Sequence, residues 1–205
     1  MDELLPLYEK HKDEIRRRLE EFKTVKNLGP SRVFSELAFC ICTPQSPGQR
    51  AWQAVLELQE KGFLSHGSAA QIASVLKKYT RFHTTKATHI VLARHRFQEI
   101  HGRLHNARTK KMRAWLADNV LGLGYKEASH FLRNIGFVDG IAILDRHILR
   151  NMKQFGVIRN IPPAISKKRY LYLEKRMKHF ATTCGIPLHE LDLLLWAKET
   201  GAVFK

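Results

Sequence analysis

Residues 121–134 read LGLGYKEASHFLRN, and ILDRH follows at 143–147. Gly122 and Gly124 separate a helix-forming run, WLADNV, from an amphipathic one, YKEASHFLRN. Glycine permits backbone conformations that other residues disfavour, so the pattern is helix, tight turn, helix. Such a turn exposes backbone N–H groups at the start of the second helix, a place that favours an anion such as a DNA phosphate. A lone GxG is also common in ordinary helix–helix connections. Lys126 is the anomaly. It stands in the first turn of the second helix, where the partial positive charge of the helix end disfavours a cation. Asp145 comes nineteen residues later, at a position that also suits a plain helix N-cap.

Outward from this hairpin, nearly everything reads as helix. Residues 9–22 are densely charged helix formers. A more buried helix at 30–43 stops at Pro44, and others are expected at 48–62 and 68–79. One long helix is expected over about 85–106, because Ile90, Ala93, Phe97, Ile100 and Leu104 form a single apolar stripe. Further helices follow at 109–120, 125–136, 145–156, 166–185 and 187–201. Only FVDGIAIL, residues 137–144, has the character of a strand. The class is all-α, with about ten helices and no repeat or linker.

The chain has 205 residues, 44% of them hydrophobic, and a formal net charge of +16. That length and apolar content support one unit or two small lobes with a real core. The charge calls for a polyanionic partner: DNA, RNA or an acidic membrane face. The three cysteines, Cys40, Cys42 and Cys184, are too few and too scattered for a disulfide framework, a zinc site or an iron–sulfur cluster. The opening MDELLPLYEKHKDEIRRR is not a signal peptide, and no apolar run approaches the roughly 20 residues that span a bilayer. The expected setting is the cytoplasm, on the nucleoid when bound to DNA, with no membrane association.

Lys126 and Asp145 carry a more specific resemblance. LGLGYKEA…ILDRH resembles the signature of the helix-hairpin-helix DNA glycosylase superfamily: a hairpin, a lysine in the first turn of its second helix, then Asp-x-His. LAFCICTPQS (37–46), TRFHTTKATHIVLAR (80–94) and LLLWAKETGAVFK (193–205) are similar to its compact second-type 8-oxoguanine glycosylase/lyases of archaea and some bacteria. With these stretches the resemblance spans nearly the whole chain. It implies the two-lobed glycosylase fold: a single unit over 1–205, with one lobe from 1–30 plus 145–205 and the other from 31–144, including the hairpin at 115–135. The four-cysteine loop of other branches is missing, so no iron–sulfur cluster is implied.

The resemblance also implies a chemistry. A lysine amine is a nucleophile only when neutral, and burial and a helix N-terminus both favour that form. Lys126 would attack C1′ of a flipped nucleotide and form a Schiff base, and the strand would then break by β-elimination. Asp145 would stabilise the cationic sugar and help deprotonate the lysine. In 8-oxoguanine N7 carries a proton that guanine lacks, so a buried acceptor aimed at N7 selects the lesion. An unpaired buried polar group costs about 1–3 kcal/mol. By the resemblance, Lys205 at the chain's end lines that pocket, and Trp196 and Phe82 stack on the base. Gln45 would fill the gap in the duplex. Gly122, Gly124 and His147 would contact DNA, and carbonyls of Asp118, Val120 and Leu123 would hold a structural Na⁺ or K⁺. No other cofactor is required. The implied protein is a monomeric base-excision repair enzyme acting on double-stranded DNA that contains 8-oxoguanine. Two other readings stay open: the same chemistry on another oxidised base, and a non-catalytic helix-hairpin-helix DNA-binding module.

Overall fold

The computed structural model describes residues 3–105 and 108–205. Among these residues the regular structure is entirely α-helical, with twelve helices. They are α1 (Leu4–Val25), α2 (Pro30–Cys42), α3 (Gly48–Glu60), α4 (Phe63–His66), α5 (Ala69–Leu76), α6 (His83–His95), α7 (Phe97–Leu104), α8 (Thr109–Asn119), α9 (Tyr125–Asn134), α10 (Arg146–Gln154), α11 (Lys167–Cys184) and α12 (Leu188–Thr200). α1 begins earlier than its charged run suggests. Pro6 lies in its first turn, where a missing N–H costs no intrahelical bond.

The sequence expectation of about ten helices falls short for two reasons. The four-residue α4 was not foreseen. The single helix expected over 85–106 is two, α6 and α7, broken at Arg96 (φ −96°, ψ 4°); Asn106 lies outside the described residues. The Arg96 guanidinium donates to the Asn119 carbonyl at 2.6 Å, tying the break to the end of α8. The apolar stripe nevertheless faces one core, because a break at a single residue re-aims the axis without reversing the face.

The buried side chains form two clusters. One is built by α2–α9, around Leu37, Phe39, Leu58, Ile90 and Phe131. The other is built by α1 and α10–α12, around Ile15, Leu19, Ile148, Leu173 and Leu194. α1 is fastened to α12 by the Tyr8 hydroxyl, which donates to Glu190 at 2.6 Å.

Residues 137–144, read as a strand, run without a ladder. Backbone groups of Ala142 and Leu144 are satisfied by side chains of α11 instead. Tyr170 donates to the Ala142 carbonyl at 2.6 Å and accepts the Leu144 N–H at 3.2 Å; the Ala142 N–H donates to Glu174 at 3.0 Å. Glu174 also receives both terminal nitrogens of Arg113 on α8, one of them at 2.9 Å from Oε2. Arg113 is 1% exposed and also reaches Ser129 on α9 at 3.3 Å. Removing one partner of a buried pair leaves the other uncompensated, at a cost of about 3–5 kcal/mol. Glu174→Ala is therefore expected to lose about that much in urea unfolding, far more than Glu57→Ala, whose ion pair with Lys78 lies at the surface.

Candidate active site

The hairpin between α8 and α9 is shaped by its glycines. Gly122 has φ +88°, and a Cβ there would lie 2.7 Å from Nδ1 of His89 on α6. Gly124 caps α9, and its N–H donates to Oε2 of Glu127 at 3.3 Å. The N–H that a DNA phosphate was expected to take is thus held by a carboxylate of the same turn, in one half of a capping box. The other oxygen of Glu127 lies 3.0 Å from Nζ of Lys126. The unfavourable lysine at the helix N-terminus therefore comes with its own counter-charge, at the position where an anion is favoured.

Asp145 caps α10. Its Oδ1 accepts the Ile148 N–H at 2.8 Å, so the capping role is real. Lys126 and Asp145 both border a throat between two hollows. Both line an interior cavity of about 160 Å³ and also an open groove of about 750 Å³. Trp196, His147 and Lys205 complete the cavity wall among the residues expected from sequence. The Trp196 ring lies 6.1 Å from that of Phe204, tilted by 31°. His147 faces Glu199 at 3.5 Å.

Lys205 behaves differently from a side chain reaching for a base. Its ammonium turns into the neighbouring cluster, 3.4 Å over the Trp52 ring and paired with the fully buried Glu36. Arg32 at 2.7 Å and Asn134 at 2.9 Å hold the same carboxylate. Burial outweighs the pairing and pushes the Lys205 amine down to about 8. Phe82 is not in the cavity wall. It is 54% exposed at the tip before α6. Gln45 is exposed on the rim of the groove, where Arg81 also lies.

Residues 15–186 match the model of a helix-hairpin-helix family described as 8-oxoguanine DNA glycosylase. A protein of Fusobacterium nucleatum named 8-oxoguanine DNA glycosylase/AP lyase is 38% identical, over 100% of this chain and 97% of its own. The chain belongs to the 8-oxoguanine DNA glycosylase family. The crystal structure of the Thermotoga maritima 8-oxoguanine DNA glycosylase superposes with a TM-score of 0.91 at 36% identity, covering 100% of this chain and 97% of that one. The Methanocaldococcus jannaschii 8-oxoguanine glycosylase/lyase, solved with a 15-mer DNA containing 8-oxoguanine, gives 0.91 at 35% identity, with 100% and 98% covered.

In and beside the cavity of this family member are groups that the sequence reading passed over. Glu127 is one. Its signal was visible, a glutamate three residues after the capping glycine. His130, one turn beyond Lys126, is buried in the wall. Burial, with Arg133, Lys126 and Lys205 nearby, pushes it well below the usual histidine range, so it is neutral. Asp192 is another. It is 5% exposed, a lone acid in the run LDLLLW of α12. Burial drives its carboxyl up from 3.8 to about 7, and the negative charge of Asp145 adds to this, while Arg133 and the Ile143 N–H pull the other way.

A raised carboxyl binds a proton in the folded state that the unfolded chain releases. The stability it supplies is complete below about pH 4 and disappears as the pH rises through about 7. Asp192→Asn removes that titration. Its urea midpoint relative to the unsubstituted protein should therefore rise as the pH is stepped from 4 to 7.5; a difference that does not vary with pH would contradict the assignment.

Proposed function

We propose that the chain is a base-excision repair enzyme, an 8-oxoguanine DNA glycosylase that also nicks the strand as an AP lyase. The observation that carries the reading is the throat: Lys126 and Asp145 border the cavity and the wider groove at once. A base flipped into the cavity and a backbone lying in the groove leave C1′ between these two side chains.

The steps follow from the chemistry of the groups. Lys126 transfers a proton to a carboxylate, and its amine attacks C1′. The C1′–N9 bond breaks and its electron pair leaves with the base. Positive charge developing on the sugar is stabilised by Asp145. The lone pair on the Lys126 nitrogen then expels O4′, which takes up a proton as the C1′–O4′ bond opens, leaving a protonated imine. Loss of a C2′ proton then expels the 3′ phosphate oxygen and cuts the strand. None of these steps uses a redox cofactor or a catalytic metal.

We assign Trp196 to stacking on the base, Gln45 and the Gly122–Gly124 turn to the duplex, and His147 to the backbone beside the throat. Carbonyls of Asp118, Val120 and Leu123 are the proposed ligands of a hairpin Na⁺ or K⁺. The Val120 carbonyl already accepts the Leu123 N–H at 3.1 Å, which leaves one lone pair for an ion. The enzyme is taken to act as a monomer on chromosomal DNA in the cytoplasm. Among the described residues no helix is long and apolar enough to cross a membrane.

Borohydride reduction during reaction with a duplex carrying one 8-oxoguanine tests the reading. The unsubstituted protein should leave a covalent adduct, and Lys126→Gln none. Asparagine caps helices as well as aspartate. Asp145→Asn should therefore keep the fold and lose roughly 10²-fold or more in rate. Tight DNA binding without an adduct would point to a non-catalytic binding module, and a faster reaction with an oxidised pyrimidine would point to a different substrate.

A further inference from the structure

Gln45 (φ 54°) and Phe82 (φ 55°) are the two non-glycine residues with positive φ among the described residues. A side chain held in that region is strained unless its surroundings over-determine it, and such strain gathers where function needs it. Both residues sit at exposed tips, Gln45 between α2 and α3 and Phe82 just before α6. The tips are tied together through Ser46, whose Oγ accepts the Arg81 N–H at 3.1 Å and Nζ of Lys86 at 3.0 Å.

Lys86 is 4% exposed. Its ammonium also donates to the Cys42 and Pro44 carbonyls, each at 2.8 Å. All three protons are therefore used on the end of α2 and the turn around Gln45. These acceptors are neutral. The last carbonyls of α2 supply the partial negative charge that lets a cation sit there. Burial lowers the pKa of Lys86, so this is an unfavourable place for a lysine if filling space were its only task. A methionine would fill the same volume without desolvating a charge.

We propose that Lys86 is a positioning residue that locks Gln45 and Phe82 into one rigid pair at the edge of the groove, and that this pair holds the duplex open beside the flipped nucleotide. The proposal rests on reading the chain as a base-flipping glycosylase. A glutamine amide can hydrogen-bond the base left without its partner, and an apolar ring can enter the stack at a kinked step. A backbone already held in position loses little entropy when its side chains enter the duplex. The clamp therefore matters for opening paired DNA and not for the bond-breaking steps at Lys126.

The test compares excision from two substrates: 8-oxoguanine paired with cytosine, and 8-oxoguanine in a bulge with no opposing base, where pairing is already lost. Lys86→Met should lose about tenfold or more on the paired duplex, a difference of about 1.4 kcal/mol, and stay within about threefold on the bulge. Lys86→Arg, which restores donors, should recover part of the loss. If Lys86→Met does not fold, Ser46→Ala removes the shared acceptor from a half-buried turn at the cavity edge and should show the same selective loss. Equal losses on both substrates, or no loss on either, would overturn the clamp. Failure of the unsubstituted protein on both substrates would instead remove the glycosylase reading itself.

Discussion

The buried pair of Arg113 and Glu174 fixes the relation between the two halves of the throat. Arg113 comes from α8, which packs with the hairpin, and Glu174 from α11, which belongs to the other cluster. Two buried charges are tolerated because they pair through both terminal nitrogens and both carboxylate oxygens and share further partners, with Nε of Arg113 left over. Ser129 receives one Arg113 nitrogen, and the Ala142 N–H donates to Glu174. Tyr170 braces the same segment from both sides. Ser129 lies one helical turn beyond Lys126, and Ala142 lies three residues before Asp145. One ion pair therefore holds the helix that carries Lys126 and the extended segment that leads to Asp145. Bond-forming geometry tolerates errors of well under an ångström, so this contact matters to chemistry as much as to stability.

The interior also sorts the charge. Glu36, Glu174, Glu190 and Asp192 are buried, and so are Lys86, Arg113 and Arg133. These nearly balance, so the surplus behind the net charge of +16 lies outside, where it meets solvent or phosphate. Affinity for DNA then comes from released counterions and falls steeply with salt. Selectivity has to come from the cavity, whose wall carries the buried polar groups His130, Arg133 and Asp192.

What the sequence made legible was local. The glycine hairpin, Lys126 in its first turn and Asp145 as a cap are all set by spacings of a few residues, and the structure has each where those spacings put it. The apolar stripe through Ile90 and Leu104 predicted the buried face correctly, because periodicity reports which side is apolar. It could not report the break at Arg96, which depends on a carbonyl twenty-three residues away. The same limit explains residues 137–144. Alternating apolar character fits any extended segment, and only α11, far along the chain, decides that side chains rather than a strand satisfy it. Phe82 looked like a stacking aromatic because ring type is visible in sequence, whereas the left-handed backbone that turns it outward is not.

The three lysines at the site show why residue type alone underdetermines chemistry. Lys126 is partly exposed beside Glu127, at a throat that opens both ways. Lys205 is buried against Glu36 under Trp52 and cannot approach a sugar without abandoning a buried carboxylate. Lys86 is buried against carbonyls with all its protons engaged. A nucleophile needs a path to its target, and of the three only Lys126, the proposed nucleophile, borders both the cavity and the groove. The other two meet the opposite requirement: their usefulness lies in not moving. A carboxylate in one case and the end of a helix in the other hold them still, and each restrains a different edge of the space that Lys126 must reach.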